Sequence, residues 1–332
     1  MNKIAIYGFG RIGRSTLKAA LRANLFVPGV VADVKDSAIL AALFEVDTNY
    51  GRWPERVLAE EQAIIIGDRH ISYHKAIQEV PDWGTLGVDM VIDCTGRATL
   101  RAGAQAHLDR GAERVLVSAP SKTAEDCDVV LLPGINLGKF DPQKHFIVSM
   151  ASCTTNALAP VVKILQEHFG IKNGFFSTVH SYTNSQSLTD QPMKDRRDCW
   201  AAAENIIPSS SGAAKSLKYI WPDLEITGKA YRVPTRTGSI VELNAVLNRP
   251  TRVEELQDVF RQAAAEPPLA GIMAALEEEW TSARIVGDTH SSIIDLPLIQ
   301  VIGDNFVSIA AWYDNEMGYS QRLAEMAVIL NQ

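Results

Sequence analysis

Little in this 332-residue sequence supports a covalently braced or metal-braced fold. Its four cysteines, Cys94, Cys127, Cys153 and Cys199, are widely spaced and form no CxxC pair, so neither a disulfide framework nor a zinc cluster is expected. The seven histidines show no HExxH or comparable ligand spacing, and no metal is expected. Positive charge is also short: 32 Lys and Arg against 39 Asp and Glu leave a net charge of −7. No basic field is available for a nucleic-acid backbone or an anionic membrane surface. No apolar run approaches the roughly 18 residues that a membrane span needs. The chain opens directly on a strand-like stretch, Ile4-Ala5-Ile6, with no visible signal segment before it. A reducing, cytoplasmic setting is the expectation. There is no internal repeat and no low-complexity linker.

What the sequence does contain is alternation. In the first half, short apolar runs exchange with helix-like segments, as in parallel strands joined by crossover helices. Ile4–Ile6 reads as a strand, 11–24 as a helix, 27–33 as a strand and 37–44 as a helix. Further strands are expected at 90–92, 115–117, 129–132 and 146–148, with a helix near 100–110. Residues 50–85 are richer in charge and read as an antiparallel excursion. Beyond Ala151 a helix is expected over 153–169, then a long polar stretch over 181–205, then strands of strict alternation such as 239–246. The closing segment, 318–332, carries Leu323, Met326, Ala327 and Leu330 on one helical face. The expected fold class is α/β: a Rossmann-like doubly wound parallel sheet, plus an α+β catalytic domain with a largely antiparallel sheet. The boundaries read as 1–151 for a nucleotide-binding domain, completed by the helix 318–332, and 152–317 for a catalytic domain.

Gly8-Phe9-Gly10-Arg11-Ile12-Gly13 fits G-x-G-x-x-G between the first strand and the first helix. Gly8 permits the tight turn, Gly10 lets main chain approach a pyrophosphate, and Gly13 lets helix and strand lie close. Free N–H groups at the helix start attract phosphate oxygens. Asp33 closes the second strand, where a carboxylate accepts from ribose hydroxyls and repels a 2′-phosphate. NAD is the expected cofactor.

Cys153 lies in Ala151-Ser152-Cys153-Thr154-Thr155-Asn156, at the start of a helix whose dipole favours a thiolate. His180 follows the apolar run 175–179 and is placed to exchange protons with it. The other cysteines read as buried small apolar groups or incidental thiols. A cysteine nucleophile beside NAD implies aldehyde oxidation: the thiolate adds to the carbonyl, hydride leaves, and a thioester awaits a second nucleophile. Water would give an acid, and phosphate an acyl phosphate.

Around Cys153 the sequence resembles the phosphorylating, type I glyceraldehyde-3-phosphate dehydrogenase family. The likeness runs through Gly8–Arg14, Ser118-Ala119-Pro120-Ser121-Lys122, His180-Ser181-Tyr182-Thr183-Asn184, 205–210, Arg232-Val233-Pro234-Thr235 and 312–316. The resemblance implies Cys153 as nucleophile and His180 as base. Thr95, Ser118 and Asn315 would join the glycine loop at the cofactor, with Asn315 on the nicotinamide carboxamide. Thr183 and Arg232 would hold the substrate phosphate, and Ser152, Thr154, Ser211 and Gly212 the attacking inorganic phosphate, with Arg197 a further anion contact. It also implies a homotetramer bordered by the loop 181–205, and a sugar-phosphate aldehyde as substrate in glycolysis or gluconeogenesis. A related branch that oxidises erythrose 4-phosphate shares the cysteine and histidine, although Ser181-Tyr182-Thr183 matches the glyceraldehyde-phosphate branch better. Ser185 stands where the family commonly has Asp, and Arg236-Thr237-Gly238 replaces a Pro-containing stretch. Together these changes move the local charge by two units toward positive. Ala32 and Gln191 also depart from the pattern near the cofactor, with Asp33 retained.

Overall fold

The computed structural model describes residues 3–76 and 79–331. Residues 1, 2, 77, 78 and 332 lie outside them, including the expected last residue of the closing helix. The chain divides into two compact units, Met1–Ala151 with Ser320–Gln332, and Ser152–Tyr319.

The first unit begins β1 (Ile4–Tyr7), α1 (Arg11–Arg22), β2 (Val30–Asp33) and α2 (Ser37–Glu45). A short ladder of β3 (Val46–Asp47) and β4 (Gly51–Arg52) precedes β5 (Val57–Glu60), β6 (Ala63–Ile66) and β7 (Arg69–Lys75). Then come α3 (Trp83–Leu86), β8 (Met90–Asp93), α4 (Arg101–Asp109), β9 (Arg114–Val117), β10 (Val129–Val130) and β11 (Ile147–Ser149). The main sheet runs β10-β11-β9-β8-β1-β2-β7-β6-β5. It is parallel from β10 to β7 and antiparallel from β7 to β5, which is the excursion expected within 50–85.

The central strands are apolar without interruption because crossover helices cover both faces: Ala5, Ile6, Val31, Ala32, Val91, Ile92, Val115 and Leu116 are fully buried. Strand β2 starts later than expected, after Pro28-Gly29, with Gly29 N–H already bonded to the Ile4 carbonyl at 2.9 Å. α1 stops before Asn24, whose φ of 51° leaves the helical region. β10 stops at Val130 because Asn136 takes over the edge: its amide donates to the Val130 carbonyl and accepts from Leu132 N–H.

The second unit holds α5 (Cys153–His168), β12 (Ile171–Ser181), β13 (Ile207–Ser210), α6 (Ala213–Ile220), β14 (Ile226–Val233) and β15 (Ser239–Leu247). It continues with α7 (Val253–Ala265), β16 (Met273–Leu276), α8 (Ser282–Ile285), β17 (Ser292–Asp295), β18 (Gln300–Ile302) and β19 (Phe306–Tyr313). The last helix, α9 (Met317–Leu330), returns the chain to the first unit, with Leu323, Met326, Ala327 and Leu330 buried.

The second sheet runs β13-β14-β12-β15-β19-β17-β16, with β18 on β19. It is largely antiparallel, as expected, with two parallel pairs, β12 with β14 and β16 with β17. Strand β15 alternates as its sequence predicts, burying Ser239, Val241, Leu243, Ala245 and Leu247 on one face.

Candidate active site

In the first unit, chain connections leave β1 and β8 toward opposite sides of the sheet, and the crevice at such a switch point is where ligands settle in doubly wound folds. A cavity of about 400 Å³ lies there, lined among others by Tyr7, Gly8, Gly10, Asp33, Asp93, Thr95 and Arg97. Each glycine has a distinct reason. Gly8 sits at φ 87°, where a Cβ would meet Thr95 N at 2.9 Å. A Cβ on Gly13 would stand 2.2 Å from the Gly8 carbonyl oxygen. At Gly10 nothing lies within 4 Å, and α1 begins there without a side-chain cap. Open space against an uncapped helix start fits a pyrophosphate.

Asp33 braces the loop, accepting from Phe9 N–H at 2.6 Å and Lys35 N–H at 3.0 Å. Arg11 sends its guanidinium to Asp47 at 3.0 Å, so its part in the loop is played by main chain. Ile12 is half-buried in the first turn of α1. Thr95 is held by Asp93, whose Oδ1 accepts from both Thr95 N–H (2.8 Å) and the Thr95 hydroxyl (2.6 Å). Ser118 N–H donates to the Asp93 carbonyl. Behind Asp93, Trp83 Nε1 donates to His107 Nδ1 at 3.0 Å, and His107 Nε2 reaches Asp93 Oδ2 at 3.2 Å. This buried relay carries no cofactor motif and is invisible to spacing, although an acidic residue closing β8 just before Thr95 was its one signal. Cys94 is half-buried beside the cavity, and desolvation pushes its thiol up to about 12. Burial also raises Cys127.

In the second unit, Ser152 caps α5 by accepting from Thr155 N–H at 3.1 Å. Ala151, with φ 54°, makes the sharp turn that delivers Cys153 to the helix start. His180 is next to last in β12, and the parallel register pairs it with Arg232 of β14. Cys153 Sγ lies 3.4 Å from His180 Nε2. On the far side of the ring, Nδ1 is 2.7 Å from the Ser181 carbonyl and 2.6 Å from Arg232 Nη1. Nδ1 thus faces an acceptor, the Ser181 carbonyl, and a donor, Arg232; in the tautomer that donates Nδ1–H to the carbonyl, the Nε2 lone pair faces the sulfur as a general base needs.

Burial raises the Cys153 pKa above its ordinary value despite opposing contributions from Arg232 and the Thr154 N–H. His180 falls to about 3, first through burial and then through Arg232, against the pull of the Ser181 carbonyl. Desolvation thus opposes the thiolate that the helix start favours, and Arg232 supports it.

The anion residues are distributed unevenly. Thr154 is buried, and Tyr313 bridges its hydroxyl (3.0 Å) to Thr178 (2.8 Å), which donates onward to the Ile240 carbonyl. Counting protons along that chain, Thr154 spends its hydroxyl hydrogen inward and offers an anion only its N–H. Ser211 and Gly212 open α6, which has no side-chain cap. Thr183 directs both N–H and hydroxyl to Gln186 Oε1, at 2.9 and 3.1 Å, and Ser185 Oγ lies 2.9 Å from its hydroxyl. Arg232 retains a buried Nε with no partner. Arg197 stands apart. It is exposed and lines a separate hollow with Arg196, Trp200, Asn205, Ile206, Ile207 and Pro208. Asn315 is buried, with Ser181 and Ser239 hydroxyls donating to its Oδ1 at 2.9 and 3.1 Å. Tyr313, Ser181 and Ser239 thus belong to the site; Ser181 and Tyr313 lay inside longer motifs, while Ser239 stood only as the first residue of the alternating strand 239–246. No group of three or more His, Cys, Asp or Glu side chains suited to a metal occurs among the described residues.

Comparison with known proteins agrees with this geometry. Residues 2–101 match the profile described as glyceraldehyde 3-phosphate dehydrogenase, NAD binding domain, and residues 152–315 match glyceraldehyde 3-phosphate dehydrogenase, C-terminal domain. A glyceraldehyde-3-phosphate dehydrogenase of Kitasatospora aureofaciens is 44% identical, with 99% of both chains covered. Those of Geobacillus stearothermophilus and Mycobacterium avium are 42% and 43% identical, covering 99% of this chain and 98% of theirs. The chain belongs to the glyceraldehyde-3-phosphate dehydrogenase family.

Proposed function

We propose that the protein oxidises D-glyceraldehyde 3-phosphate to 1,3-bisphosphoglycerate with NAD and inorganic phosphate, as a homotetramer in the cytoplasm. The observation that carries this reading is the 3.4 Å contact between Cys153 Sγ and His180 Nε2 with Arg232 behind the imidazole. Cys153 and His180 are the catalytic pair. NAD, when bound, supplies the hydride acceptor. Residues 1–151 with 318–332 hold it through Gly8, Gly10, Arg11, Ile12, Gly13, Asp33, Thr95 and Ser118, while Asn315 of the catalytic domain 152–317 addresses the nicotinamide carboxamide.

His180 Nε2 takes the thiol proton as the sulfur adds to the aldehyde carbon and returns it to the carbonyl oxygen, giving the thiohemiacetal; it then accepts that hydroxyl proton as the carbonyl re-forms and hydride leaves the carbon. Arg232 opposes an imidazolium in the free protein. A substrate phosphate seated on Arg232 and Thr183 offsets that opposition, so activation of the sulfur accompanies substrate binding. The thioester left on Cys153 is attacked by phosphate held at Ser152, Ser211, Gly212 and the Thr154 N–H. Acyl phosphate leaves and the thiol is restored.

Tetramer formation is supported by the apolar exposure of the loop 181–205 and its neighbour Ile206: Leu188 is 81%, Trp200 57% and Ile206 70% exposed. Steady-state rates on glyceraldehyde 3-phosphate and erythrose 4-phosphate, with NAD or NADP and with or without phosphate, test the assignment. NADH formation on the first substrate that depends on phosphate is expected. Preference for erythrose 4-phosphate with release of an acid would overturn it.

A further inference from the structure

The Asn315 amide sits where three strands end. Ser181 is the last residue of β12, Ser239 the first of β15, and Asn315 follows Tyr313, which pairs with Ser239. Ser181 N–H donates to Ser239 Oγ at 3.1 Å, which draws the two hydroxyls onto one point. That point is Asn315 Oδ1, and both hydroxyls and the amide are buried. Thr237 also reaches Oδ1, at 3.3 Å, but lies closer to Asp314 at 2.9 Å and directs its proton there.

An amide oxygen accepts two bonds well, and two buried donors fill it. Turning the amide over would strand two buried hydroxyl protons, for which Asn315 Oδ1 is the acceptor. We propose that Ser181 and Ser239 form a hydroxyl clamp that locks the Asn315 amide with its oxygen inward, so that it meets the cofactor with N–H donors alone. The two serines are positioning residues, and they set which acceptor at the pyridine 3-position is read. This rests on the reading of Asn315 as the carboxamide contact. Ser181 also links the clamp to the chemistry, because its carbonyl takes the His180 ring N–H.

The test is binding, not turnover. Dissociation constants for NAD and for its thionicotinamide analogue, a poorer hydrogen-bond acceptor, are measured by calorimetry in the full-length protein. Wild type, Ser181→Ala, Ser239→Ala, Ser239→Thr and Asn315→Ala are compared. Iodoacetamide alkylation of Cys153 without cofactor reports an intact site in each. The wild-type preference for NAD is expected to shrink about fivefold to tenfold in each serine-to-alanine variant, the scale of one lost hydrogen bond. The preference returns in Ser239→Thr. Loss of preference in Asn315→Ala with full preference in both serine variants would overturn the clamp and leave the role of Asn315 standing. Full preference in Asn315→Ala would instead refute that role, and the clamp with it.

Discussion

At the scale of single residues, one proton lies between Cys153 and His180, and the Arg232 charge biases where it sits. Cys153 and His180 were legible as a helix-start thiol and a strand-end histidine, but their charge states were not. Those depend on burial and on Arg232, which the parallel register of β12 and β14 brings beside His180 from 52 positions away in sequence. Because the thiol pKa is raised, the rate of Cys153 alkylation should climb as pH rises past neutrality. Arg232 lowers that pKa, so Arg232→Ala is expected to move the profile to higher pH. A profile displaced to lower pH would show that Arg232 does not stabilise the thiolate. The same loss raises the His180 pKa from about 3, since one of its two depressing influences is gone.

At the scale of elements, the two helix starts show what a motif can and cannot say. The glycine loop was readable because its chemistry is local: a Cβ on Gly13 would meet the Gly8 oxygen at 2.2 Å. Gly13→Ala should therefore abolish NAD binding in calorimetry and lower the melting temperature. Binding at wild-type affinity would mean the loop is not the pyrophosphate cradle. At α5, Ser152→Ala removes the N-cap and is expected to cost about 1 kcal/mol of stability in chemical denaturation. The Asp93–His107–Trp83 relay and the Tyr313 bridge were not legible, because each joins residues from separate elements. The start of β2 was set by pairing with Ile4 and the end of β10 by the Asn136 side chain, neither by apolar pattern.

At the scale of the whole molecule, alternation announced the parallel sheet, and the strict periodicity of β15 announced the second one. The parallel pairings of β12 with β14 and of β16 with β17 could not be read, since strand direction follows from where the connections run. The exposed Leu188, Trp200 and Ile206 point to assembly. Sedimentation velocity should give a species of four chains for wild type and smaller species for Trp200→Glu with Ile206→Glu. A wild-type monomer would refute the tetramer.

The central claim, that Cys153 carries the acyl group to phosphate, is tested most directly by mass spectrometry of the intact protein. After one turnover with glyceraldehyde 3-phosphate and NAD in phosphate-free buffer, Cys153 should bear a 3-phosphoglyceroyl thioester. Phosphate should then discharge it as acyl phosphate. An unmodified Cys153 throughout NADH formation, or undiminished NADH formation in Cys153→Ser, would contradict it.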